Sequence, residues 1–183
     1  MRNAQQILAD SAVIAVVGAS RDPGKPAHTV PAQMQRYGWR IIPVNPYADE
    51  LFGEKVYRSL ADIPEPVDLV NVFRPAGDAV DVVREAVAVG VPAVWLQLDI
   101  VSAEARRIAT EAGLDYVEDR CIAVERAVGR LSRLPGPNHA VDFLYPLWIQ
   151  PAVVTASHKS GLALGGGFSY SASDDHPLRS EAL

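Results

Sequence analysis

The residues with the spacing to do chemistry cluster first between Val17 and Pro26, where Gly18, Ala19, Ser20, Arg21, Asp22, Pro23, Gly24 and Lys25 follow one another. A turn of small residues lets backbone N–H groups approach an anion, and a helix starting just after it adds partial positive charge. Ser20, Arg21 and Lys25 would supply a hydroxyl and two cations, so the chemistry offered is phosphate binding. Three established loops fail against it. A Walker A loop needs four residues between its glycines and a hydroxyl after the lysine; here five separate Gly18 from Gly24, and Pro26 follows Lys25. The dinucleotide fingerprint lacks its second glycine, where Ser20 stands, and the second apolar run ends in Val44-Asn45-Pro46 with no carboxylate for a ribose. A nucleophile elbow fails at Asp22. On the loop alone, a phosphate turn and a plain strand-to-helix turn with solvated charges are equally good readings.

Further candidates follow later apolar runs. Arg74 stands where a guanidinium can fork onto a phosphate or carboxylate, although a surface ion pair is the usual fate of such a residue. Gln97, at the rim of another run, can hydrogen-bond a ligand amide, whereas Trp95 reads as core. Cys121 precedes a helix start, a setting that favours thiolate. A lone cysteine is more often a small buried hydrophobe. No histidine is placed to activate it: His28 lies on the first long helix, and His139, His158 and His176 come after residue 134. The histidines show no metal-ligand spacing.

The elements that must position these groups repeat in one rhythm from residue 11 to about 131. Apolar runs at Val13–Val17, Arg40–Val44, Val67–Phe73, Ala93–Leu98 and Leu114–Glu118 lack polar alternation, as strands covered on both faces do. Between them, helical patterns at Ala27–Tyr37, Gly77–Val89 and Ser102–Ala112 stop at Gly38, Gly90 and Gly113. Val80, Val83 and Val87 suggest the sheet-facing stripe of the middle helix. Ser102 predicts an N-cap. Ala4–Ala9 predicts a short outer helix, Leu51–Lys55 a loop or small ribbon, and Ser59–Asp62 a capping-box turn. Strand alternating with helix at this spacing means an α/β fold with a doubly wound parallel sheet. The loops at the carboxyl ends of the strands are where a ligand belongs.

The composition allows this and excludes much else. The chain has 183 residues, 49% hydrophobic and 21% charged, which fits one domain with an appendage. One cysteine rules out an internal disulfide framework. No apolar run is long enough to span a membrane, and no secretory signal opens the chain, so a cytoplasmic protein is expected. A net charge of −5 argues against nucleic acid as partner. After Leu134 the rhythm stops, and residues 135–183 hold five Pro, five Gly and six Ser. The expected division is a domain at 1–134 and a Pro/Gly/Ser-rich, partly irregular extension at 135–183. That extension reads as flexible or docking, and as a possible surface for a protein partner or self-association.

Six motifs in register then become familiar: residues 16–23, 42–46, 51–54, 67–74, 94–97 and 119–122. Together they resemble the small stand-alone CoA-binding domain proteins, similar to the N-terminal domain of the succinyl-CoA synthetase α-subunit. The resemblance covers roughly residues 5–133. It implies a Rossmann-like five-stranded sheet holding coenzyme A or an acyl-CoA along the strand ends. Gly18, Ala19, Ser20 and Arg21 would meet the phosphates, with Lys25 as the usual basic residue. Asn45 and Pro46 would border the adenosine, Phe73 and Arg74 would form the third loop, and Gln97 and Cys121 would lie towards the pantetheine arm. The third phosphate of CoA would explain Arg21, Lys25 and Arg74 converging where an NAD site wants a carboxylate. Asp99 departs from the family, which has glycine there, and a carboxylate would repel phosphate. The synthetase subunit continues into a domain with a phosphorylated histidine and this chain does not, so no ligase chemistry is implied. Non-catalytic CoA binding, in a carrier, sensor or accessory role, is the leading expectation. The rivals are an NAD(P)-dependent oxidoreductase with an atypical loop and an interaction module whose ligand site has decayed.

Overall fold

The computed structural model describes residues 2–135. Helix α1 (Ala4–Asp10) precedes β1 (Val13–Val17), α2 (Pro26–Arg36) and β2 (Arg40–Val44). A two-stranded ribbon, β3 (Glu50–Leu51) and β4 (Glu54–Lys55), and a 3-10 turn at Leu60–Asp62 fill the next connection. Then come β5 (Leu69–Val72), α3 (Ala76–Val89), β6 (Ala93–Leu96), α4 (Ala103–Glu111), β7 (Asp115–Val117) and α5 (Ile122–Val128). Every expected strand and helix is present; β1 and β2 have the expected bounds, and β5, β6 and β7 are one or two residues shorter at one or both ends. The sequence reading had not delimited α5. Among these residues no helix is long and apolar enough to cross a membrane. The extension expected at 135–183 lies outside the described residues apart from Pro135.

The five long strands form one parallel sheet in the order β2-β1-β5-β6-β7. Val17 lies opposite both Val44 and Val72, and Val72 opposite Leu96, so the central strands end level with one another. Helices cover both faces, which is why the strands are mostly apolar, with Arg40 and Asp115 at strand starts and Asn71 as the buried exception. On one face, Ile7 and Leu8 of α1, Met34 of α2 and Ile122 of α5 pack with Ile14, Leu69 and Trp95. On the other, α3 and α4 pack against Ala15, Val70 and Val94. The stripe that α3 buries is Ala79, Val82, Val83 and Ala86, not the expected Val80–Val83–Val87 line. The helix is rotated so that its two alanines lie innermost, and α3 can then sit close to α4; Val80 and Val87 flank the seam, partly buried. Ser102 caps α4, accepting from Ala105 N at 3.2 Å. The Ser59–Asp62 capping box is formed.

At the amino ends of the strands, the segment after α5 straps the helices together. Arg133 donates from Nε to Ser11 O (2.6 Å) and from Nη2 to Ala9 O (2.9 Å), and its backbone N–H bonds Tyr37 O at 2.8 Å. Gly38 makes this possible. Its φ is +91°, and a Cβ there would stand 2.9 Å from both Arg133 C and Leu134 N. Gly38→Ala should therefore cost about 2–4 kcal/mol, backbone strain and overpacking together. Gly53→Ala, at φ +72° with no atom near the added methyl, should cost only about 1–2 kcal/mol from strain. Urea unfolding of the two variants measures the difference; equal losses would mean the strap simply moves aside.

Candidate functional site

Strand β1 pairs with β2 on one side and β5 on the other, so the crossovers leave in opposite directions and a crevice opens beyond the carboxyl ends of β1 and β5. Gly18 turns the chain there. Its φ is +90°, and a Cβ would meet Arg74 Cδ at 3.0 Å and Phe73 C at 3.2 Å, so the first and third loops touch through a position that admits no side chain.

The loop after Gly18 is fixed from several directions. Ser20 N–H bonds Ala27 O at 3.0 Å. In an unbroken helix that carbonyl would accept from residue 31, but Pro31 has no N–H to give. The proline inside α2 thus leaves an acceptor to which the loop is tied. His28 Nδ1 lies 2.7 Å from Ser20 O, which requires the proton on Nδ1, and the imidazole packs tilted against Phe52 with ring centroids 5.0 Å apart. Asp22 Oδ1 accepts from Gly24 N (2.9 Å), and Ser20 Oγ from Asp22 N (3.1 Å). Asn45, at the end of β2, donates from Nδ2 to Ala19 O (2.8 Å) and accepts at Oδ1 from Tyr47 N (2.7 Å) and Ala48 N (3.0 Å). The N–H groups of Ala19 and Arg21 have no partner among the described residues.

These loops enclose an open cleft of about 450 Å³. It brings together the sequence-derived residues Gly18, Ala19, Ser20, Arg21, Lys25, Asn45 and Phe73, and adds Asp22, Ala27 and Tyr47. Arg21 and Lys25 are exposed and form no ion pair among the described residues. Arg74 is arranged differently. Its stem packs under Gly18 while its guanidinium pairs with Asp78 of α3 at 2.8 Å, so the three cations do not all converge on the cleft. Pro46 is exposed on the Asn45 loop and does not line it.

Gln97 and Cys121 stand apart. Gln97 is only 4% exposed, so it belongs to the interior and not to the rim as the sequence suggested. The reason is a buried amide pair: Gln97 Nε2 donates to Asn71 Oδ1 (3.1 Å), and Asn71 Nδ2 donates to Trp95 O (3.2 Å). Trp95 is core, as expected, and its indole N–H bonds Arg120 O at 2.7 Å. Cys121 is the N-cap residue of α5, partly buried on the same face of the sheet as Phe73. Asp99 sits in the left-handed region at φ +64°, which explains why glycine suits this position. It faces the fifth loop, its N–H bonding Asp119 Oδ1 at 2.9 Å, and does not line the cleft. Below it, burial pushes the Tyr116 phenol up to about 12, and the phenol donates to Glu118 at 3.0 Å.

Tyr47, Pro31 and Asn71 were not singled out in the sequence, and His28 enters there only as a histidine not placed to activate Cys121. Pro31 was the readable one, a proline inside a helical pattern. His28 and Asn71 bond groups that only the fold brings near.

Comparison with known proteins gives the cleft its context. The family described as CoA binding domain matches residues 12–127. YneT of Bacillus subtilis, a protein described as uncharacterized, is 41% identical over 124 residues, 68% of this chain and 92% of that one. An ADP-forming acetate–CoA ligase II of Archaeoglobus fulgidus is 33% identical over 127 residues, 68% of this chain, which spans 18% of the ligase. Among solved structures, that of cell-free ID.343 from Thermus thermophilus superposes with a TM-score of 0.66 at 41% identity, covering 70% of this chain and 99% of the other. The ordered motifs, the five-stranded parallel sheet and the cleft at its switch point thus have one source: the chain belongs to the CoA binding domain family.

Proposed function

We propose that the chain binds coenzyme A or an acyl-CoA without transforming it, in the cytoplasm, as a carrier, a sensor or an accessory subunit. The observation that carries this is the cleft at Gly18, lined by two exposed cations, Arg21 and Lys25, against one carboxylate, Asp22, and by Ala19 and Arg21, whose N–H groups have no partner among the described residues. A polyphosphate is the anion such a site fits. At the end of β2, where a dinucleotide site holds a carboxylate for the ribose, Asn45 has its side chain committed to the loops. Asp49, the next carboxylate, is paired with Arg58 at 2.6 Å. Under this reading Gly18, Ala19, Ser20, Arg21 and Lys25 hold the phosphates, and Asn45 and Pro46 border the adenosine. Phe73 forms a wall, and Gln97 and Cys121 lie towards the pantetheine arm. Arg74 joins the phosphates by exchanging Asp78 for them. The ligase activity of relatives much longer than this chain is not carried over.

Calorimetry on the full chain with CoA, acetyl-CoA, NAD⁺, NADP⁺ and ATP tests the reading. CoA should give heat, Arg21→Ala and Lys25→Ala should each weaken it about three- to tenfold at low salt, and added salt should shrink those effects. No heat and no thermal shift at millimolar CoA would refute it, and a response to dinucleotides alone would indicate an oxidoreductase. The position of Cys121 has its own test. Its thiolate attacking CoA disulfide would release one CoA thiolate and leave a Cys121–CoA mixed disulfide. Intact mass should rise by the mass of CoA less two hydrogens, and Cys121→Ser should show no adduct; an unmodified wild-type chain would place the ligand thiol elsewhere.

A further inference from the structure

Tyr47 is the residue of the cleft that its wall does not explain. It is 81% exposed, the most exposed of the large hydrophobic side chains among the described residues, yet it lines the same space as Arg21 and Lys25. The turn that carries it is tied by hydrogen bonds on both sides. Asn45 Oδ1 accepts from the N–H groups of Tyr47 and Ala48. From outside, Arg58 Nη1 donates to Asn45 O (2.8 Å) and to Ala48 O, and its Nη2 donates to Asp49 Oδ1 (2.6 Å). Asn45 Nδ2 then ties the whole turn to Ala19 O of the opposite loop. The backbone on both sides of Tyr47 is held, while its ring packs on nothing that would bury it.

A rigidly presented aromatic beside a cationic cleft has a defined use, because base–aromatic stacking needs only an open π-face and a phosphate to set the distance. We infer that Tyr47 is a stacking platform for the purine of the ligand, and that Arg58 is a positioning residue that holds the platform. This rests on the CoA reading and deepens it. The platform would make the site select adenylated CoA over its 4′-phosphopantetheine fragment, which lacks a base. Pre-ordering the turn removes the cost of fixing it at binding, and this is the gain that Arg58 supplies from outside the site.

The test uses the full chain, its Tyr47→Ala, Tyr47→Phe and Arg58→Ala variants, and three probes: CoA, adenosine 3′,5′-bisphosphate and 4′-phosphopantetheine. Tyr47→Ala should weaken CoA and adenosine 3′,5′-bisphosphate about tenfold, at the lower end of what base–aromatic stacking supplies. It should leave 4′-phosphopantetheine within twofold. Tyr47→Phe, which keeps the ring, should bind all three as wild type does. Arg58→Ala should reproduce the adenosine-side loss more weakly, with an unfavourable shift in binding entropy. Equal losses for all three probes in Tyr47→Ala would assign the residue to loop structure and overturn the platform, as would no loss for either adenosine ligand. CoA binding that ignores Tyr47 would leave the ligand reading standing without the platform. Tyr47-dependent binding of the bisphosphate with no response to CoA would keep the platform and refute the ligand; no binding of any probe would refute both.

Discussion

The site depends on a single close contact, between the carboxyl ends of β1 and β5. Parallel strands 4.7–4.9 Å apart, in the usual range, leave little room for what leaves their ends. The stem of Arg74 fills that room against Gly18, as close as 3.0 Å from the place of a missing Cβ. A side chain at position 18 would push the first and third loops apart, and with them the wall that Phe73 gives the cleft. The crevice is a consequence of strand order, since only at β1 do the crossovers diverge. The glycine turns that topological gap into a cleft with a floor.

Around this contact the loops are held mainly by side chains bonding to backbone. Asn45 reaches Ala19 O, His28 reaches Ser20 O, and Ser20 N–H reaches the carbonyl that Pro31 leaves without its helical donor. Each bond is worth about 1 kcal/mol net. Their joint effect is to spend most polar groups of the loop on the loop itself. Among the described residues, what stays without a partner at the cleft is the N–H groups of Ala19 and Arg21 and the side chains of Arg21 and Lys25. Under the proposed reading, an anion site would be made here by exhausting the competing hydrogen bonds as much as by collecting charges.

The fold was legible because its signals are local. Continuous Val and Ile runs announced strands buried on both faces, and Gly38, Gly90 and Gly113 closed the helices between them. The errors came where a neighbour decides. The line Val80–Val83–Val87 follows hydrophobicity alone, but α3 buries Ala79, Val82, Val83 and Ala86, so only the middle valine of the three lies fully inside, with a small residue on either side of it towards α4. Gln97 read as a rim residue because it follows the strand, yet Asn71 on the adjacent strand draws its amide inward. That Gly18, Ala19, Ser20, Arg21 and Lys25 share one loop was legible from their types and spacing. Tyr47 was not, since nothing in its sequence neighbourhood says that Arg58, eleven positions later, will hold its loop.

The charges of the site show a similar economy. Of the three cations that sequence reasoning brought together, Arg74 is held in the ground state by Asp78 on α3. An exposed i,i+4 pair of this kind is worth only about 0.3–0.5 kcal/mol, so a doubly charged phosphate can displace the carboxylate at little cost. Asp78 would then keep an exposed guanidinium beside the cleft from attracting smaller anions strongly while leaving it available to a polyphosphate. Arg21 and Lys25 form no such pair among the described residues, so under the proposed reading a phosphate would meet them first. If the cleft takes a polyphosphate as proposed, the first phosphate would engage Arg21 and Lys25, and a ligand extending across Gly18 would also exchange with Asp78.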